Sequence, residues 1–201
     1  MTRETYIELL RDRLKRIDTA GRVRPQLINM ALDMVWQNMA FENMGSIGSD
    51  VNFCTKLYAA TAVTLGADGR YYTTLPNAII NLPRAASGVG RINQVNSRDY
   101  DFSPVTEKNF RLLASQDVYS LGNKIYYYVT KDTVFYGDSM TAAIAAVGVD
   151  MRLVIPFADY DLDEDVPVPS GQAERFLGDA MNFLMGTTPV NQNNTNKETA
   201  P

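Results

Sequence analysis

Apolar residues in this chain keep two different periods, and the switch falls near residue 54. Before it, Ile7, Leu10, Leu14 and Ile17 step by three, four and three, and Ile28, Leu32, Val35 and Met39 step by four, three and four. Such intervals put each set on one stripe of an α-helix. After the switch, Leu57, Ala59, Thr61, Val63 and Leu65 alternate with Tyr58, Ala60, Ala62 and Thr64, the two-residue period of a half-buried strand. Helical stripes at one end and alternation in the middle predict an α+β fold.

The expected layout is a single domain over residues 1–186. It has a helical hairpin in 1–44, a mainly antiparallel β region with a short helix in 45–169, and a C-terminal helix in 170–186. A flexible tail, 187–201, is too polar to fold alone. Thr5-x-x-Glu8 suits a capping box, Gly21 a helix stop and Pro25 the first turn of the second helix. Met30, Met34, Trp36 and Phe41 widen the apolar face of that helix; the first reading is a hairpin packing on its own domain, and contact of part of this face with a second subunit is the alternative.

Turn chemistry divides the middle. Asp68-Gly69 predicts a hairpin into Tyr71–Leu75, and Lys131-Asp132 another between the alternating Ile125, Tyr127, Val129 and Thr133–Tyr136. Pro76 and Pro83 bracket Ala78–Leu82 as an edge strand, and residues 84–104 read as a long excursion. Ser103 and Pro104 predict the start of a helix over Thr106–Ala114. Residues 139–147 fit an alanine-rich helix or a buried strand, and Val149–Phe157 a strand ended by Pro156. Ser170 is the expected cap of the last helix, Ala173, Leu177, Ala180 and Leu184 its stripe, and Gly186 its end.

Composition removes several catalytic and metal-binding chemistries. The 201 residues contain no histidine and one cysteine, Cys54. That excludes Ser-His-Asp and Cys-His hydrolysis, histidine metal sites, multi-cysteine zinc sites and an internal disulfide framework. A chain of this size buries roughly 70% of its unfolded surface and needs no such staple. Cys54 is expected to be a small buried hydrophobe. Residues 1–20 carry charge throughout, unlike a signal peptide, and Met140–Val149 falls well short of a membrane span, so manufacture and use in a cytoplasm is expected.

Three motifs carry candidate chemistry. Asp159-x-Asp161-x-Asp163 resembles the opening of a calcium loop, but Glu164 occupies the turn position that needs Gly and Ser170 the position of the bidentate Glu. An exposed acidic loop before a helix N-terminus accounts for the same residues. Gly88-Val89-Gly90 lacks the rest of either phosphate-binding fingerprint, and its glycines suit a bend. The tyrosines Tyr71, Tyr72, Tyr126, Tyr127, Tyr128 and Tyr136 suit exposed strand faces or an interface. Charge is also divided along the chain. Residues 56–98 hold five basic side chains against one acidic, and residues 150–180 hold eight acidic against two basic. In a monomer, the default reading, that division is a dipolar surface; in a homo-oligomer it steers head-to-tail assembly.

Three pieces of sequence together resemble a known family. They are the helical pair Tyr6–Ile17 and Pro25–Phe41, the phrase Phe102-Ser103-Pro104-Val105-Thr106 leading into Phe110-Arg111-Leu112-Leu113, and Val149-Asp150-Met151-Arg152-Leu153-Val154-Ile155-Pro156. The last is followed by Asp163-Glu164-Asp165-Val166-Pro167-Val168-Pro169, a helix and a polar tail. The layout is similar to head–tail connector (adaptor or tail ring) proteins of tailed bacteriophages, most closely those of short-tailed crAss-like phages. The resemblance implies a non-enzymatic virion subunit with no cofactor and no bound metal, assembled in the host cytoplasm, usually as about twelve copies in a closed ring beneath the portal. Implied partners are further copies of itself, the portal protein, adjacent tail ring or hub proteins, and genomic DNA passing without sequence-specific binding; no membrane is implied.

Candidate inter-subunit or lumen contacts are Arg84, Arg91, Arg98, Asp159, Asp161 and Asp163. Two alternatives stay open. One is a small metal- or ligand-binding module or enzyme using the acidic loop 159–165. The other is a single-strand-binding module stacking bases on the tyrosines, which the net charge of −4 opposes.

Overall fold

A computed structural model of the chain describes residues 1–17, 24–44, 53–80, 88–97, 99–113 and 123–186. Gly21, Pro83, Arg84, Arg98 and the polar tail lie outside the described residues. Two N-terminal helices, α1 (Arg3–Ile17) and α2 (Pro25–Met44), follow the stripes read above. The cap of α1 is Thr2 and not Thr5: its hydroxyl accepts from the Thr5 N–H at 3.3 Å, and the two hydroxyls lie 2.7 Å apart. Starting the helix three residues earlier gives the first turn a cap and an extra turn of packing.

Among the described residues eight strands and three further helices follow: β1 (Lys56–Thr61), β2 (Thr64–Leu65), β3 (Tyr71–Thr74), β4 (Val89–Gln94), β5 (Asp101–Pro104), α3 (Glu107–Leu113), β6 (Lys124–Thr130), β7 (Thr133–Tyr136), α4 (Ala142–Val147), β8 (Val149–Leu153) and α5 (Ala173–Leu184). A short 3-10 turn, Phe157–Asp159, lies between β8 and α5. The strands form a small sheet ordered β1-β8-β4 and a larger one ordered β2-β3-β7-β6-β5. Pairing is antiparallel except between β5 and β6. The fold is α+β, with helices at both ends of the β region.

The alternating segment 57–65 is two strands in different sheets. A register shift between Tyr58 and Thr61 marks the break, where Ala60 takes a positive φ of 51° and its N–H donates to Asp150 Oδ1 at 2.9 Å. A bulge of this kind re-aims a strand, so β1 serves the small sheet and β2 the large one. Leu57 and Leu65, expected on the half-buried face, stay 49% and 56% exposed. The Asp68-Gly69 and Lys131-Asp132 hairpins form as expected.

Several boundaries differ from the sequence expectation. The excursion 84–104 contains β4 and β5, whereas Ala78–Ile80 form no strand; Ile80 donates one bond to the Val154 carbonyl at 2.9 Å. Gly88 permits this close approach, since a Cβ there would lie 2.3 Å from the Ile80 carbonyl oxygen. Ser103 and Pro104 end a strand, and α3 is capped by Thr106, whose hydroxyl accepts from the Asn109 N–H at 3.3 Å. Residues 142–147 resolve as helix, capped by Thr141. β8 stops at Leu153. Gln172, without a side-chain cap bond, stands where Ser170 was expected to cap α5.

Helices and small sheet share one core. Tyr6 of α1, Trp36 of α2, Phe157 and Tyr160 after β8, and Phe176 of α5 are buried against one another, mostly edge-to-face, with Tyr6–Phe176 centroids 5.1 Å apart and Trp36–Tyr160 5.9 Å. Each such contact adds about 0.5–1.5 kcal/mol to the area buried. Trp36 donates its Nε1–H to the Ile155 carbonyl at 2.8 Å, and Asp33 Oδ1 accepts from the Phe157 N–H at 2.8 Å. Trp36 therefore belongs to the chain's own core and not to a subunit contact.

Candidate interaction surfaces

The acidic loop after the 3-10 turn is a structural cap for α1. The Leu162 and Glu164 carbonyls accept from the Glu4 and Arg3 N–H groups at 2.9 and 3.0 Å, donors that the first helical turn leaves unpaired. Thr2 and Asp165 add an antiparallel bridge, and Arg3 Nη1 donates to the Tyr160 carbonyl at 2.9 Å. Placing carboxylates at this terminus also suits the helix dipole. Within the loop, Glu164 is committed: Lys56 Nζ reaches its Oε2 at 2.6 Å and the Asp161 N–H donates to the same oxygen at 3.2 Å. Lys56 also lies 5.6 Å from the Tyr58 ring centre and 5.5 Å from that of Tyr160. The basic and acidic segments of the sequence thus meet partly within one chain.

Asp161 and Asp163 are left exposed without an ion pair among the described residues, Asp159 is half-buried, and Leu162, between Asp161 and Asp163, is 53% exposed. Among the described residues no three Asp, Glu or Cys side chains converge as metal ligands would. The calcium-like spacing is absorbed by the turn, in which the Glu164 N–H donates to the Asp161 carbonyl at 3.1 Å.

Of the three candidate arginines, Arg91 falls within the described residues. It is exposed on β4, donates from Nε to Asn93 Oδ1 at 3.0 Å, and stands directly opposite Arg152 of β8. Arg152 escaped notice in the sequence, although the alternation of β8, with Val149, Met151 and Leu153 buried, points Asp150 and Arg152 outward. The register that pairs the two arginines depends on a shift between Val89 and Arg91 and is not readable from spacing.

A third surface is the outer ridge of α2. Leu27, Met30 and Met34, at 40%, 47% and 43% exposure, lie at i, i+3 and i+7 beside exposed Gln26 and Asn38. The opposite face, through Ile28, Leu32, Val35 and Met39, is buried.

The tyrosines contribute less surface than their sequence suggests. Tyr127, Tyr128 and Tyr136 are buried, and Tyr136 donates to Thr73 Oγ1 at 3.1 Å. Tyr72, Phe135, Tyr128 and Phe110 lie in a row across the large sheet, at 6.2, 5.1 and 4.6 Å between successive centroids, with Phe135 and Tyr128 stacked and the outer pairs tilted. Rings engaged in such a ladder have little free face for a base. Cys54 is fully buried and its thiol is pushed up to about 12 by that burial, so it is no nucleophile. The Tyr58 phenol is pushed up to about 12, first by burial and then by Glu164, Asp159 and Asp161.

No family model matches the chain, and no curated protein matches it. Among the described residues no helix is long and apolar enough to cross a membrane.

Proposed function

We propose that this chain is a structural subunit that assembles with copies of itself into a ring of the phage head–tail connector, extending the DNA channel below the portal. The observation that carries this is the exposed ridge of α2. Leu27, Met30 and Met34 form an apolar seam with no charge on it, on a helix whose other side already supplies the chain's core. A monomer gains nothing from such a seam, whereas a neighbouring subunit buries it. The three phrases that resemble connector proteins support the same reading: they form α1 and α2, β5 with α3, and the central strand β8 with the capping loop.

The portal, adjacent tail rings and passing DNA are the proposed partners. The acidic loop does not favour a cation-dependent module, because its backbone and Glu164 are spent on holding α1 and Lys56. Purified particles test the proposal: reconstruction places this chain as a symmetric ring in the neck. A particle with an intact neck that lacks the chain, or turnover of a substrate by the isolated protein, defeats it.

A further inference from the structure

On the outward face of the small sheet, Leu57 of β1, Arg152 of β8 and Arg91 of β4 stand in one cross-strand row. Neither guanidinium has a carboxylate partner among the described residues. Arg91 reaches Asn93, and Asp150, the one carboxylate on these three strands, accepts from the Ala60 N–H. Like charges directly opposite one another cost a sheet stability, so a face that keeps them breaks a local rule of folding.

The counterpart is in the same chain. Asp161 and Asp163 are exposed and lack an ion pair among the described residues, and they flank Leu162, 53% exposed as Leu57 is 49%. One patch carries two guanidinium groups beside an exposed leucine, and the other two carboxylates around one. They cannot meet within a molecule. Side chains alternate along β1: Lys56 and Tyr58 turn towards the acidic loop, and Leu57 turns the other way with Arg152. The patches therefore lie on opposite sides of the small sheet.

We propose that the Arg91–Arg152 face of one copy binds the Asp161-Leu162-Asp163 loop of a second copy. This deepens the self-assembly reading above and rests on it. Planar guanidinium groups suit carboxylates by paired N–H donation, and the leucines supply apolar contact between them. Because the two patches differ, the contact is heterologous. Each docked copy leaves one patch of each kind free, and association runs on until a ring closes.

Light scattering and sedimentation at low salt test this on the full chain with Arg91→Ala/Arg152→Ala and Asp161→Asn/Asp163→Asn. Wild type self-associates and salt weakens it. Neither double variant melts lower than wild type, the arginine one gaining from the loss of like-charge repulsion, and each loses about tenfold in association constant, the combined effect of two exposed ion pairs. Mixing the two variants yields a one-to-one dimer that grows no further, since each retains one intact patch. A wild type that stays monomeric, a variant that associates as wild type does, or a mixture that forms no dimer overturns the proposal. So does an arginine variant that self-associates normally and loses only affinity for duplex DNA, which makes the face a phosphate site. Particles that assemble normally with the arginine variant reject this contact and leave the ring intact; particles without the chain reject the ring itself.

Discussion

Trp36 joins three parts of the molecule through one indole. Its ring lies against Tyr160 and Phe176, and its N–H satisfies the carbonyl of fully buried Ile155. Trp36→Phe keeps most of the packing but strands that carbonyl, so unfolding free energy should fall by about 1–3 kcal/mol, read from the shift in a urea midpoint. Tyr160 is the opposite case, since its buried hydroxyl has no hydrogen-bond partner among the described residues. Removing it in Tyr160→Phe should leave stability at neutral pH unchanged or raised. The same residue governs alkaline behaviour. Burial first, then Glu164, Cys54 and Tyr58, raise the Tyr160 phenol, and burial raises Tyr127 and Tyr136 similarly. Below about pH 10 folded and unfolded chains both keep these protons, and their contribution to stability is fully present. Above it the unfolded chain releases them while the folded chain holds them, so stability falls as pH rises. Melting curves across that range should decline for wild type and less steeply for Tyr160→Phe; a flat wild-type profile would contradict the burial of these phenols.

Elements were legible where a period ran uninterrupted. The stripes of α1 and α2 and the turns before β3 and β7 follow directly from side-chain spacing and turn chemistry. Caps were less legible, because Ser, Thr and Pro suit several positions and the choice depends on what the preceding residues are doing. Ser103 and Pro104 look like a helix start, but β6 pairs with them and the helix waits for Thr106. Thr106→Ala should therefore lower stability by about 1 kcal/mol in thermal melts, and Ser103→Ala by clearly less. Equal effects would place the cap at the earlier residue. The split of 57–65 between two sheets was illegible for a similar reason. Its alternation is continuous in the sequence, and the break comes from Asp150 of β8 taking the Ala60 N–H.

At the scale of the molecule, α5 is the element that α1, α2 and the aromatic core hold in common, through Phe176, Leu177 and Ala180. Exposed ion pairs between these helices, Arg13–Glu174 at 2.6 Å and Arg175–Glu42 at 2.7 Å, add little beside that burial. With the inner faces spent, the assembly proposed above would fall to what remains outside. Met30→Glu/Met34→Glu alters exposed positions only, so the melting temperature should hold within the spread of surface substitutions while incorporation into particles is lost. Normal incorporation would remove the α2 seam from any interface. The candidate charges were half legible. Arg91 and the aspartates of 159–163 stand out by composition, but Arg152 gains meaning only when a register shift sets it across from Arg91, and Glu164 is withdrawn by Lys56. By itself the amino-acid order determined the helices, the hairpins, the α+β class and the want of imidazole chemistry, because period, turn residues and composition act locally or by simple presence. Only the tertiary structure decided which strand joined which sheet, that the acidic loop caps α1, and which charges remain unpaired, because those outcomes depend on partners brought together from distant parts of the chain.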